Sequence, residues 1–331
     1  MWMYLHDTFS EMISWKLYSI FPVSMKNILG YIRLYFRQVD KWVLLLCTIF
    51  SAILIYLNYR YGLEKWLTLK LPLPFSNFTG HYILFLAAFT IPYFFYLIIK
   101  RVNYFRHRLF VLLVLVAPGI FALKMSLNTS IFISEDAGWN HYWNQVLYWP
   151  LRLFITTAIL FVLWRSFYKQ QPFYGLSTKK FTWKPYVFML VLMIPLVAAA
   201  STQPDFLAAY PKLKIVLPLP AAAENFSWFY KFLFELSYGS DFFSIELFFR
   251  GFLILAFVQW AGKDAILPMV CFYCTIHFGK PLGECISSYF GGLLLGIVIY
   301  HTRSIYGGLI VHLGIAWLME LGGYVGNNLF S

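Results

Sequence analysis

Apolar and polar positions fall along this chain in long blocks rather than in a residue-by-residue alternation. Blocks on the scale of the roughly 20 mostly apolar residues that a spanning helix needs lie at 42–59, 81–99, 109–124, 145–167 and 185–201. A second set follows at 226–240, 242–261, 264–278, 285–302 and 305–323, the first of them short and carrying Lys231 and Glu235. The pattern predicts an all-α, polytopic transmembrane helix bundle of about nine or ten spans. Three parts follow from it: an interfacial or cytoplasmic segment 1–41, a set of transmembrane helices over 42–225, and a site-bearing transmembrane core over 226–331. Near the start, Leu5, Phe9, Met12 and Ile13 recur at helical spacing opposite Asp7, Glu11 and Lys16, which predicts a helix lying in the membrane interface. The first 25 residues lack a basic start, an apolar run and a small-residue cleavage site, so no cleavable signal is expected.

Composition agrees with the blocks. The chain is 60% hydrophobic and 21% aromatic with only 12% charged residues, outside the range of soluble domains. A net charge of +12 would suit a nucleic-acid partner, but the basic residues sit in the links between apolar runs and read as topology signals, so no nucleic acid is expected. Lys26, Arg33, Arg37 and Lys41 precede the first block, Lys100, Arg101, Arg106 and Arg108 follow the second, and Arg165, Lys169, Lys179, Lys180 and Lys184 follow the fourth. Those three regions are expected in the cytoplasm, with the links 125–144 and 202–225 on the other side. If 226–240 crosses the membrane, the next helix begins near the cytoplasmic face; if it does not, that assignment inverts. The reading is of an integral multi-pass protein of a bacterial cytoplasmic membrane.

Of the 20 glycines, 14 follow residue 238, including Gly292 and Gly296 and the pairs Gly307-Gly308 and Gly322-Gly323. Small residues let helices approach closely in lipid, so this second part is predicted to be the tightly packed one. Cys47, Cys271, Cys274 and Cys285 have no disulfide-framework spacing and read as buried apolar residues.

Ionisable side chains inside apolar segments mark functional sites by default. Glu246 and Arg250 lie four apart in such a segment, stacked on one helix face with the acid first, the better order for an ion pair. His277 and His312 fall in two later segments. An acid and two imidazoles from three helices suit hydrolysis, the carboxylate activating water and the imidazoles donating to an oxyanion. The same three groups suit a catalytic zinc, although HExxH is absent. A structural ion pair with two packing histidines is the plain alternative.

The order Glu246-Leu-Phe-Phe-Arg250-Gly251, Tyr273-Cys-Thr-Ile-His277, Gly291 to Gly296, then His312 resembles the CAAX protease and bacteriocin-processing (CPBP) family of intramembrane endopeptidases. The likeness covers roughly 230–325, and the family's motifs are EExxxR, FxxxH and HxxxN or HxxxH. It implies a peptidase that hydrolyses a membrane-anchored or membrane-inserted polypeptide by acid-activated water with two histidines. Its catalytic positions fall on Glu246, Arg250, His277 and His312. No cofactor is implied, and a zinc ion on the Glu/His cluster stays open. Three positions depart from the pattern: the family's first glutamate falls on Ile245, the polar residue four after the last histidine falls on Ala316, and Tyr273 in place of Phe is a minor change by comparison. Asp241, one turn before Ile245 on the same face, is the surrogate acid that spacing offers, and Glu320, two turns beyond His312, is a distant second. A member that has lost catalysis and binds a membrane partner in the same cavity is the alternative, and a transporter is a third.

Overall fold

The structure, a computed structural model, describes residues 24–70, 75–128, 130–179, 181–216 and 228–330. The interfacial helix expected over residues 5–16 lies outside the described residues. Every described regular element is helical: α1 (Met25–Gln38), α2 (Lys41–Tyr61), α3 (Ser76–Lys100), α4 (Arg108–Ser126), α5 (Ala137–Phe167), α6 (Lys184–Ala200), α7 (Trp228–Glu246), α8 (Ile266–Thr275), α9 (Leu282–Thr302) and α10 (Tyr306–Phe330), with short helical turns between them. Among the described residues six helices, α2, α3, α4, α5, α9 and α10, are long and apolar enough to cross a membrane, and α6 is apolar but shorter. The chain is an integral membrane protein.

The blocks at 226–240 and 242–261 are one element, not two. α7 runs for 19 residues to Glu246, continues as a ten-residue π-helix over Leu247–Ala256 and ends in Val258–Ala261. The polar residues between the blocks do not break it, because Ser240 donates back to the Ser237 carbonyl at 2.6 Å and Asp241 is paired (below). The block at 264–278 gives only the ten residues of α8, about 15 Å of helix and half a hydrocarbon layer. All ten are buried, so neighbouring helices, not lipid, surround it and no spanning length is imposed.

That burial explains why the first part of the chain is so aromatic. Phe272, central in α8, meets Phe85 and Phe89 of α3, Phe121 of α4, and Phe248 and Phe249 beyond α7, with ring centroids 4.9 to 6.0 Å apart. The main apolar core joins these residues into one cluster. α1 is amphipathic and lays Ile28, Tyr31 and Tyr35 against the bundle, Tyr31 stacking on His301 at 4.6 Å.

Links at the two ends of the bundle find different partners. At one end Lys100 Nζ and Tyr104 Oη donate to Asp264 Oδ2 at 3.1 and 2.8 Å, and Ser304 Oγ donates to the Ser177 carbonyl at 2.7 Å. The basic links after α3 and α5 therefore lie together with the turns after α7 and α9. At the opposite end the link after α6 reaches α9 and α10, Tyr210 Oη donating to Glu284 Oε2 at 2.8 Å and Lys212 N to both oxygens of Glu320. Because 226–240 does not cross separately, α7 starts at this second end.

Candidate active site

Glu246 ends the α-helical part of α7 and is fully buried, as is Arg250 one turn on. Arg250 Nη1 stands 3.2 Å from Glu246 Oε1, so the predicted ion pair is present. The same oxygen accepts His312 Nδ1 of α10 at 2.8 Å. An ionised carboxylate only accepts, which places the imidazole hydrogen on Nδ1 and leaves Nε2 facing away from Glu246. His312 Nε2 lies 3.1 Å from Tyr273 Oη of α8. The Arg250 guanidinium carbon sits 3.9 Å over the centre of the Tyr273 ring, a cation on the negative face of an aromatic ring.

Close packing makes this convergence possible. A methyl group added at Gly308 would stand 2.5 Å from Glu246 Oε2, and one at Gly292 would stand 2.9 Å from Tyr273 Cδ1. Glycines at these two points on α10 and α9 admit the carboxylate and the phenol ring. The π-helix begins directly after Glu246, which loosens the helical register where Arg250 leaves it, and such widened turns are frequent at functional sites.

His277, in the turn after α8, donates Nδ1–H to the Tyr273 carbonyl at 3.0 Å, and its ring lies 4.7 Å from that of Tyr273. Both imidazoles thus turn Nδ1 to an oxygen acceptor. Arg250, Tyr273, His277 and His312 line one cavity of about 360 Å³. The cavity extends along α6 and α9 to Lys280 and Glu284, and its wall includes Leu196 and Phe290, 62% and 56% exposed on the outside of the bundle. It is reached sideways between α6 and α9.

The structure brings Glu246, Arg250, His277 and His312 together and leaves Asp241 out. Asp241 Oδ1 is 2.8 Å from Lys124 Nζ of α4 and is not part of the cavity wall. Ile245 joins the main apolar core, Ala316 is a buried wall residue, and Glu320 caps the turn at Lys212. Among the described residues no three His, Cys, Asp or Glu side chains are grouped to hold a metal, and Glu246 and His312 point at one another rather than at a shared point.

Sequence reasoning missed three participants. Tyr273 was read as a minor change from Phe, Gly308 as general packing, and Glu284 not at all. Glu284 is the acid in the cavity wall, with Oε1 2.6 Å from Lys280 Nζ and Oε2 taken by Tyr210. Only the i, i+4 spacing of Lys280 and Glu284 at the start of an apolar block signalled it.

Residues 228–318 match the family model described as "Type II CAAX prenyl endopeptidase Rce1-like", in the same stretch as the CPBP motifs. Neither the curated proteins nor the solved structures compared with the chain give a match.

Proposed function

Taking the Rce1-like match over 228–318 as premise, we propose that this protein is a membrane-embedded CPBP-type endopeptidase acting on a membrane-anchored or membrane-inserted polypeptide. The observation that carries the reading is the carboxylate-held histidine in the cavity wall, Glu246 Oε1 to His312 Nδ1 at 2.8 Å. A base held in one tautomer by an acid is the arrangement that hydrolases use to take a proton from a nucleophile. In this reading Glu246 orients, His312 Nε2 accepts the proton, and Arg250, whose guanidinium has the 3.2 Å ion contact with Glu246 but no hydrogen bond among the described residues, stabilises charge developing on a substrate oxygen. His277 binds the substrate through Nε2. Asp241 serves Lys124 and not the reaction. The membrane proposed is a bacterial cytoplasmic one, and α6 and the long α7 run complete the crossing set of the six longer helices, with α8 an internal half-span.

Ile245 and Ala316 favour a second reading, in which the cavity binds a membrane polypeptide without cutting it. Both are buried apolar residues at positions where the resembled family carries polar ones. Cleavage of a mixed membrane-peptide library, followed by mass spectrometry on purified wild type, His312→Ala and Ile245→Glu in detergent, separates the two. The peptidase reading expects turnover by wild type that falls at least about 10²-fold in His312→Ala, the usual worth of a general base. Turnover by Ile245→Glu alone supports the binding reading.

A further inference from the structure

Tyr273 differs from the other buried tyrosines in what its hydroxyl meets. The hydroxyls of Tyr35, Tyr93 and Tyr96 are buried without a hydrogen-bond partner among the described residues, whereas that of Tyr273 points at a histidine. With the imidazole hydrogen held on Nδ1 by Glu246 at 2.8 Å, Nε2 carries a lone pair, so the phenol donates across the 3.1 Å to it. A nucleophile, a base within hydrogen-bond reach and a third group orienting the base are then in line, which is the signature of an activated side-chain nucleophile. Arg250, 3.9 Å over the ring, supplies positive charge where negative charge builds as the hydroxyl proton leaves. The ring is fixed between Phe249, 5.2 Å away, and Gly292, and it lines the cavity.

We propose that Tyr273 is the nucleophile of a Tyr273–His312–Glu246 triad that transfers the acyl group of an apolar substrate through a tyrosyl ester. The proposal rests on the hydrolytic reading of the cavity and names whose proton His312 takes. Tyr273 Oη forms a bond to the substrate carbonyl carbon while its proton passes to His312 Nε2. His312 returns that proton to the leaving nitrogen as the carbon–nitrogen bond breaks, and Tyr273 is left as an acyl ester. Water then attacks the ester carbonyl and gives a proton to His312. The ester bond to Oη breaks, the carboxylic acid leaves and His312 returns the proton to the phenol. Arg250 is positioned to hold the oxyanion in both halves, and Glu246 is a positioning residue throughout.

The test is covalent labelling of the purified full-length protein in detergent with a long-chain alkyl sulfonyl fluoride, which captures activated hydroxyls. Intact mass and peptide mapping locate the adduct. A single adduct on Tyr273 among the 24 tyrosines is expected, absent from Tyr273→Phe and formed at least about tenfold more slowly in Glu246→Gln and His312→Gln. Tyr273→Phe removes only a hydroxyl and serves as the fold-preserving variant, with its melting compared to wild type. An adduct elsewhere, or one on Tyr273 that forms at the wild-type rate in both Glu246→Gln and His312→Gln, overturns the triad. Peptide cleavage measured in parallel separates the two claims. If Tyr273→Phe still cleaves, the tyrosyl ester is wrong and the hydrolytic reading stands. If wild type labels at Tyr273 in a His312-dependent way but cleaves no peptide, the triad stands and the peptide substrate is wrong.

Discussion

Glu246 divides its two oxygens between two jobs, and the division depends on a residue with no side chain. Oε1 takes both Arg250 and His312, while Oε2 lies against the α10 backbone at Gly308. Gly308→Ala places a methyl group on that oxygen, so the carboxylate has to turn and His312 loses its orienting partner. Overpacking of this kind costs about 1–3 kcal/mol, and the expected result is a lower melting temperature in detergent together with slower chemistry at His312. A Gly308→Ala protein that melts and reacts like wild type would show that the carboxylate does not lean on α10. At this scale the sequence was informative where the contact is local or the residue type is rare in lipid. The Glu246–Arg250 pair followed from a four-residue spacing, and the two histidines from their placement in apolar segments. Tyr273 and Glu284 were invisible because tyrosine is common in this chain and an i, i+4 pair at a helix start reads as an ordinary surface pair. Their importance comes from partners 39 and 74 residues away, which no local pattern encodes.

Between elements, the cationic residues of the first part hold the site helix in place. Lys124 near the end of α4 is buried and reaches both Asp241, at 2.8 Å, and Ser244 Oγ, at 2.6 Å, four residues and one residue before Ile245. Arg152 of α5 donates to the carbonyls of Met125 and Leu127 at 3.1 and 2.8 Å, satisfying the frayed end of α4. These contacts tie α4, α5 and α7 together just before the turn that carries Glu246. Asp241→Ala leaves the buried Lys124 ammonium without its counter-charge, a loss of about 3 kcal/mol, read as an early melt. Lys124→Met combined with Asp241→Ala removes both charges and is expected to recover most of that stability. The pair of variants also decides what Asp241 is for. A structural acid is rescued by the double change, in activity as in stability, whereas a catalytic acid is not. The fused α7 run was hidden in the sequence for the same reason: Gly239, Ser240 and Asp241 together look like a link, and only the bonds to Ser237 and Lys124 show that they are satisfied within a helix. The first five apolar blocks were legible because charged links bracket them. α8 was not sized correctly because full burial frees it from the thickness of the bilayer.

For the whole molecule, the question is which side of the membrane the cavity serves. The links after α3 and α5 are rich in Lys and Arg and share one end of the bundle with the turns at Asp264 and Ser304. The cavity runs the other way, from Arg250 and His312 toward Lys280, Glu284 and Tyr210, where the link after α6 closes over α9. Since basic links stay in the cytoplasm, the Lys280–Glu284 end of the cavity is predicted to lie toward the extracytoplasmic side, with entry sideways between α6 and α9. Single cysteines test this directly, because the four native cysteines are buried and stay silent toward a sulfonated maleimide. Gly283 has open space where a side chain would begin and is exposed next to Glu284, while Lys169 is exposed at the basic end. In intact cells the impermeant reagent is expected to label Gly283→Cys and to spare Lys169→Cys until the cells are opened. The reverse pattern would put the Lys280–Glu284 end in the cytoplasm and overturn the orientation read from the basic links. The expected pattern means that a soluble cytoplasmic chain end cannot reach His312 and Tyr273 without crossing the bilayer, so under the proposed peptidase reading the polypeptide substrate has to be one that is already exported or embedded.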